Sequence, residues 1–323
     1  MNLQQIYHNL KKDLEQIEED LSFAVNPEYQ PLRQTATHLL EAGGKRMRPV
    51  FVLLSGRFGD YELTRLKQVA VSLELIHMAT LVHDDVIDDA QTRRGRLTVK
   101  AKWDNRIAMY TGDFILAQAL AEIAKIEQAE VHRILSTSIM RMCLGEIDQI
   151  EDLYNGDQHL RQYLRRIKRK TALLMAISCQ LGAIVSGAKP EIVRDLYAYG
   201  YYVGMAFQLT DDVLDIVGEE RVLGKPAGSD LLQGNITLPV SYTLHHGDAA
   251  EKKMIRNYLQ SRGEVSQVEQ ILDVVRQAGG IEYTLDLSKQ YLQKAQERLD
   301  RLPDSSERES LRMIAEFIVR RSY

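Results

Sequence analysis

Apolar residues recur along the chain at spacings of three and four rather than two, the period of amphipathic helices. Residues 3–22 predict one such helix. A second ends near Ala42, where Gly43-Gly44 supplies a stop. Pro49 opens another that runs through Leu54. Gly56 and Gly59 punctuate, and a long helix is expected from Leu63 to Asp89. The stretch QTRRGRLT is polar, carries one glycine and predicts a loop. Helices follow near 106–126, 128–153, 158–186 and 191–217. Glu219 to Asn235 predicts a glycine-rich loop, and 236–323 predicts four or five shorter helices. Their breaks fall at His246-Gly247, Gly263, Gly279-Gly280 and Pro303.

Composition narrows this picture. The 323 residues include 7 prolines, with none between Pro49 and Pro190, which disfavours a turn-rich β architecture. No repeat or composition shift marks a boundary, so one all-α domain over 1–323 is expected. Apolar residues at 45% and charged residues at 27% describe a folded chain rather than a disordered one. A formal net charge of −4 argues against a dedicated nucleic-acid binder. Arg161 to Lys170 holds six cations, but only Tyr163 among them is aromatic. That run predicts a solvated face, except for Lys170, which precedes the core-like Thr171-Ala-Leu-Leu-Met. Cys143 and Cys179 sit in apolar segments and predict core thiols of a reducing compartment. No leader pattern opens the chain and no apolar run reaches transmembrane length, about 18 residues, so a cytoplasmic protein is expected.

Two segments carry candidate chemistry. Asp84-Asp85-Val86-Ile87-Asp88-Asp89 and Asp211-Asp212-Val213-Leu214-Asp215 each set carboxylates one turn apart on one helix face, about 6 Å from each other. Like charges there destabilise a helix, and the flanks are apolar, so each cluster demands a cation. Oxygen ligands without cysteine or paired histidine suggest Mg²⁺ rather than zinc. Mg²⁺ takes one or two carboxylates and completes its shell with water and phosphate. Two such clusters predict a phosphate-bearing ligand held between them.

A diphosphate also needs fixed positive donors. Gly43-Gly44-Lys45-Arg46-Met47-Arg48-Pro49 packs three cations into a helix-to-helix loop. Arg93-Arg94-Gly95 follows the first acid cluster. Lys170-Thr171 interrupts an apolar helix, and Lys225 lies in the loop after the second cluster.

Together the motifs GGKRMRP, DDVID with RRG, and FQLTDDVLD with GKPAGSD resemble the trans-polyprenyl diphosphate synthase family. The resemblance runs from residue 43 to Arg320-Arg321. It implies the isoprenoid synthase fold: long antiparallel helices around a deep apolar cavity, with both aspartate motifs at its mouth. It implies a prenyltransferase that condenses an allylic diphosphate such as farnesyl diphosphate with isopentenyl diphosphate, using Mg²⁺, for a quinone (menaquinone) side chain. By this resemblance Asp84, Asp88 and Asp211 are Mg²⁺ ligands, assisted by Asp85, Asp212 and Asp215. Arg93, Lys170, Thr171, Gln208 and Lys225 contact the allylic diphosphate. Lys45, Arg48, His77 and Arg94 form the isopentenyl diphosphate site. His77 lies seven residues before Asp84 and shares its helix face.

Relatives carry small residues or an aromatic four and five positions before the first aspartate, and this sets product length. Here Thr80 and Ala79 are both small, so a long product is expected, heptaprenyl or hexaprenyl. The likeness is to large catalytic subunits of two-component enzymes, which implies a small regulatory partner in a heterodimer, with a homodimer as the alternative. Three positions depart from the family pattern: Asn235 replaces a lysine before Thr-Leu-Pro, Leu97 a proline, and Lys100 a histidine. A class I terpene cyclase shares the first motif but mixes Asn/Asp, Ser/Thr and Glu in the second. A non-catalytic subunit would lose the aspartates. A plain helical scaffold leaves Arg93, Arg94 and Lys170 without a purpose, and no Glu-x-x-His pair of a di-iron bundle lies near the clusters.

Overall fold

The computed structural model describes residues 3–218, 227–263 and 265–320. Helices account for more than three quarters of it: α1 (Leu3–Asn9), α2 (Lys11–Ala24), α3 (Gln30–Glu41), α4 (Met47–Gly56), α5 (Leu63–Ile87), α6 (Val99–Lys102), α7 (Asn105–Ile123), α8 (Ala129–Glu151) and α9 (Leu160–Ile167). A π-helical turn, Lys168–Ala172, joins α9 to α10 (Leu173–Val185). Then come α11 (Pro190–Val217), α12 (Ser229–Leu232), α13 (Leu238–His246), α14 (Ala249–Gln260), α15 (Val265–Gln277), α16 (Gly280–Leu299) and α17 (Ser306–Arg320). Among the described residues, strand occurs only as the hairpin β1 (Thr92–Arg93) and β2 (Arg96–Leu97), paired antiparallel.

The residues group into two compact units. One comprises residues 1–137, 174–200 and 298–314; the other comprises 138–173, 201–297 and 315–323. In the first unit α5 is packed by α2, α4 and α7. Its burial runs almost unbroken from Val69 to Ile76, as expected of a helix surrounded by others. Ser72 on α5 donates to the Ala119 carbonyl of α7 at 2.8 Å, so this polar group is satisfied inside the core. Helix α7 starts where Asp104 Oδ1 accepts from the Ile107 amide at 2.8 Å, a side-chain N-cap. In the second unit Tyr163, Ile167, Ala172, Met205, Leu209 and Leu238 form one apolar cluster. A second cluster gathers Ile216, Ile236, Leu259 and Leu272.

Six expectations shift. Cys143, expected as a core thiol, is exposed, whereas Cys179 is buried. Arg166, expected on a solvated face, is buried and donates to the Ile236 carbonyl at 2.8 Å. The helix expected over 3–22 is α1 and α2 with a kink at Leu10; the amide bonds from Leu10 to Ile6 and from Leu14 to Leu10 persist, so the ladder bends rather than stops. The stretch QTRRGRLT is not irregular: Arg94 (φ 53°) and Gly95 (φ 75°) supply the two left-handed residues of a tight hairpin turn. The helix expected over 158–186 contains the π-helical turn. The loop expected over 219–235 contains α12 in its described part, whereas Lys225 lies outside the described residues. Among the described residues no helix is long and apolar enough to cross a membrane.

Candidate functional site

The first aspartate motif occupies the C-terminal end of α5, where the helix dipole already disfavours negative charge. Asp89 (φ 51°) takes the left-handed position that ends the helix, and the Ala90 amide returns to the Asp85 carbonyl at 3.0 Å. Asp84 and Asp88 are half-buried one turn apart, and Asp85 is buried. Arg93, aimed by the hairpin, donates from Nε and from Nη2 to Asp85 Oδ1, both at 2.7 Å. Burial pushes the Asp85 carboxyl above its usual range against the pull of Arg93. Asp89 is paired by the buried Lys100. That contact gives the departure at Lys100 a physical reason: it supplies a cation to an acid-rich helix end. Leu97 is exposed, and its carbonyl accepts from His38 Nε2 at 2.8 Å.

One to two turns earlier on α5, His77 lies in a narrow cleft with Gly43, Arg46, Glu74, Arg93 and Arg94. Burial, then Arg48, Arg94, Arg93 and Arg46, hold the imidazole well below its ordinary pKa. His77 is therefore neutral at pH 7, with one ring N–H to donate. Burial pushes the Arg48 guanidinium down, with Glu74 opposing, and Arg48 Nε is buried without a hydrogen-bond partner. An unpaired guanidinium nitrogen beside a neutral histidine and the exposed Arg94 is a site short of an anion. The loop backbone comes close: a Cβ on Gly44 would stand 2.7 Å from Arg94 Nη1. Arg48 lies in the first turn of α4, which has no side-chain cap, so its amides add to the cationic field. Lys45 is exposed, and its carbonyl accepts from the Tyr7 hydroxyl. Ala79 is buried, and Thr80 is half-buried with Oγ1 donating to the His77 carbonyl at 2.8 Å.

In the second unit a hydrogen-bonded chain joins several expected residues. Thr171 Oγ1 donates to Gln208 Oε1 at 2.7 Å, and Gln208 Nε2 donates to Asp212 Oδ1 at 2.8 Å. The Tyr163 hydroxyl donates to Asp212 Oδ2 at 2.6 Å. Burial, then Asp230, push the Asp212 carboxyl up to about 7 despite those donors. Lys170 Nζ donates to Glu146 Oε2 at 2.8 Å. Both Lys170 and Thr171 stand on the π-helical turn, a distortion common at functional sites. Asp215 is buried: Oδ1 accepts from Ser229 Oγ at 2.7 Å and Oδ2 from the Asp230 amide at 3.2 Å. It thus holds the N-terminal turn of α12. Asp211 is half-buried. Asn235 Oδ1 is buried without a partner.

Pattern reading passed over Glu146 and Glu74 and gave no separate role to Tyr163 in the basic run, to Ser229 in GKPAGSD or to Arg46, one of the three cations of its loop. Glu74 carried a signal, a lone acid inside the apolar run LELIH, and Tyr163 carried another, the lone aromatic in a basic run. Among the described residues no three His, Cys, Asp or Glu side chains converge as a metal cage. The half-buried Asp84 and Asp88, and Asp211 alone in the second motif, suit instead a divalent ion that keeps water and phosphate in its shell.

Comparison with known proteins adds the following. The family model for polyprenyl synthetase matches residues 29–275. The chain is 53% identical over 323 residues to heptaprenyl diphosphate synthase component 2 of Bacillus subtilis (strain 168), covering 100% of this chain and 92% of that one. It superposes on the crystal structure of heptaprenyl diphosphate synthase from Staphylococcus aureus with a TM-score of 0.93, at 42% identity and over 97% and 99% of the two chains. The polyprenyl synthase of Caulobacter crescentus CB15, complexed with calcium and isoprenyl diphosphate, gives a TM-score of 0.95 at 29% identity over 100% and 98%.

Proposed function

The chain belongs to the polyprenyl synthetase family, with its all-α isoprenoid synthase fold and prenyltransferase activity, and on that premise we propose that it makes an all-trans long-chain product, heptaprenyl diphosphate. The substrates are an allylic diphosphate such as farnesyl diphosphate and successive isopentenyl diphosphates, and the product serves a quinone (menaquinone) side chain. The observation that carries this reading is the 53% identity along the whole chain to a heptaprenyl synthase component. The same relative's designation as a component 2 supports a small first component as partner.

Asp84, Asp88 and Asp211 would hold the divalent ions, which we take as Mg²⁺ by their donor set; calcium accompanies isoprenyl diphosphate in the Caulobacter structure. When bound, such ions neutralise charge growing on the leaving diphosphate. The chain's own residues do the rest. Lys170, Thr171, Gln208 and Arg93 donate to the allylic diphosphate, and Lys225 joins them by its motif. Arg93 has five N–H donors and spends those of Nε and Nη2 on Asp85. Lys45, Arg48 and Arg94 bind the isopentenyl diphosphate, and neutral His77 adds one hydrogen bond without adding charge. The allylic C–O bond breaks, its electron pair leaves with the diphosphate, and the isopentenyl double bond attacks the allylic carbon. The proton then lost from the new adduct goes to the released diphosphate. No side chain needs to be a nucleophile.

The test is incubation of the chain with farnesyl diphosphate, isopentenyl diphosphate and Mg²⁺, with and without the small component, followed by chromatography of dephosphorylated products. C35 prenol is the expected product. No elongation under either condition overturns the reading. Elongation without the small component overturns only the two-component part.

A further inference from the structure

One acid stands among the cations around His77. Glu74 lies in the middle of α5, three residues before His77, and is 3% exposed. Its Oε1 accepts from Arg46 Nη1 at 3.2 Å, and its Oε2 is buried without a hydrogen-bond partner. Its charge favours the protonated forms of Arg46, Arg48 and Arg94. A carboxylate here weakens the pull of the cleft on an anion. Attraction for a diphosphate therefore does not explain its presence.

The geometry of the neighbouring loop does. Arg46 has left-handed backbone (φ 47°), which an L residue adopts only when held. Two carboxylates hold it. Glu18 of α2 takes Nε, and takes Nη2 at 3.2 Å, while Glu74 of α5 takes Nη1. The Tyr7 hydroxyl of α1 fixes the preceding carbonyl, that of Lys45. With Arg46 pinned, Lys45 and Arg48 on either side of it have their directions set. Each of its three guanidinium nitrogens donates to one of the two acids, so Arg46 serves the loop as a strut.

We infer that Glu74 is a positioning residue for isopentenyl diphosphate: through Arg46 it sets the loop that presents Lys45 and Arg48, without touching the diphosphate. This rests on the assignment of the His77 cleft to isopentenyl diphosphate. The experiment compares steady-state kinetics of the wild-type chain, assembled with its small component if activity needs it, with Glu74→Gln, Arg46→Ala, the double variant and Arg48→Gln. Glu74→Gln is expected to raise KM for isopentenyl diphosphate about tenfold, with KM for farnesyl diphosphate and kcat within about twofold of wild type. The double variant should match Arg46→Ala alone, since one residue acts through the other. Glu74→Asp should recover part of the loss. If Glu74→Gln fails to fold, Glu18→Gln tests the same guanidinium from a more exposed side and should raise the same KM. An unchanged KM for isopentenyl diphosphate, an equal rise in both KM values, or additive effects overturn the inference while Arg48→Gln still raises the isopentenyl KM. If Arg48→Gln also leaves that KM unchanged, the cleft assignment itself falls, and the inference with it.

Discussion

In the first aspartate motif Asp84 and Asp88 are half-buried, and only Asp85 is buried, beneath Arg93. In the second only Asp211 is half-buried; Asp212 and Asp215 are buried and committed to Tyr163, Gln208, Ser229 and the Asp230 amide. Both motifs spell DDxxD and both end a helix of 25 residues or more. What differs is how the local charge is settled. The first motif settles it with cations, Arg93 and Lys100, and keeps two carboxylates accessible. The second settles it with neutral donors, and two of its three carboxylates build the surrounding structure. A shared pattern therefore does not assign a shared task to each aspartate.

Substitutions can break that contrast. Asp84→Asn should lower kcat by about a thousandfold, the scale of losing one electrostatic contact in a polar active site. Its Tm should hold or rise slightly, because an acid leaves a helix C-terminus. A large drop in Tm with kcat retained would make the first motif structural. Asp215→Ala should cost about 2 kcal/mol in urea unfolding, since Ser229 Oγ and the Asp230 amide lose their acceptor. A cost below about 0.5 kcal/mol would place Asp215 with the accessible carboxylates.

Asp212→Asn reads the burial directly. The Asp212 carboxyl is raised from 3.8 to about 7, first by burial. A raised folded pKa stabilises the fold below the unfolded value, and that contribution is lost as pH rises toward 7. Wild type should thus lose stability relative to Asp212→Asn between about pH 4 and 7 and level off above, with a slope of at most ~1.4 kcal/mol per pH unit. Denaturation at four pH values without divalent ions checks this, and parallel curves would mean that Asp212 is already ionised throughout. Thr80→Phe should change stability least and product length most visibly, because Thr80 is half-buried one turn before Asp84. Ala79→Phe, at a buried position, should cost about 1–3 kcal/mol. Unchanged product length in Thr80→Phe, read by chromatography, would sink the chain-length role.

The long helices were legible in the chain because their apolar positions repeat over many turns: α5, α7 and α11 stand close to where the spacing put them. The π-helical turn was not legible. One extra residue leaves the apolar pattern of Ile167 and Leu173 intact, so 158–186 reads as one helix. The hairpin at 92–97 hid because Arg94 is not a usual left-handed residue. Of the candidate site, like-charged clusters were visible because their charges are adjacent in sequence. Glu74 and Tyr163 were not, because each is a single polar residue whose partner lies 28 or 49 residues away, and the cation cluster that shows Arg46 does not show that it pairs with Glu18 and Glu74.

The π-helical turn has one further consequence, which concerns phase. In a continuous α-helix Tyr163 and Thr171, eight residues apart, would point about 80° away from each other. A single inserted residue retards the helix by about 100° and brings them to within about 20°. Both side chains then reach one strand of partners on α11, Thr171 through Gln208 and Tyr163 through Asp212. The turn works as a gear tooth: wound as continuous α-helix at unchanged length, Lys168–Ala172 would keep every side chain yet turn Thr171 by about 100° out of mesh with Gln208 and the second aspartate motif.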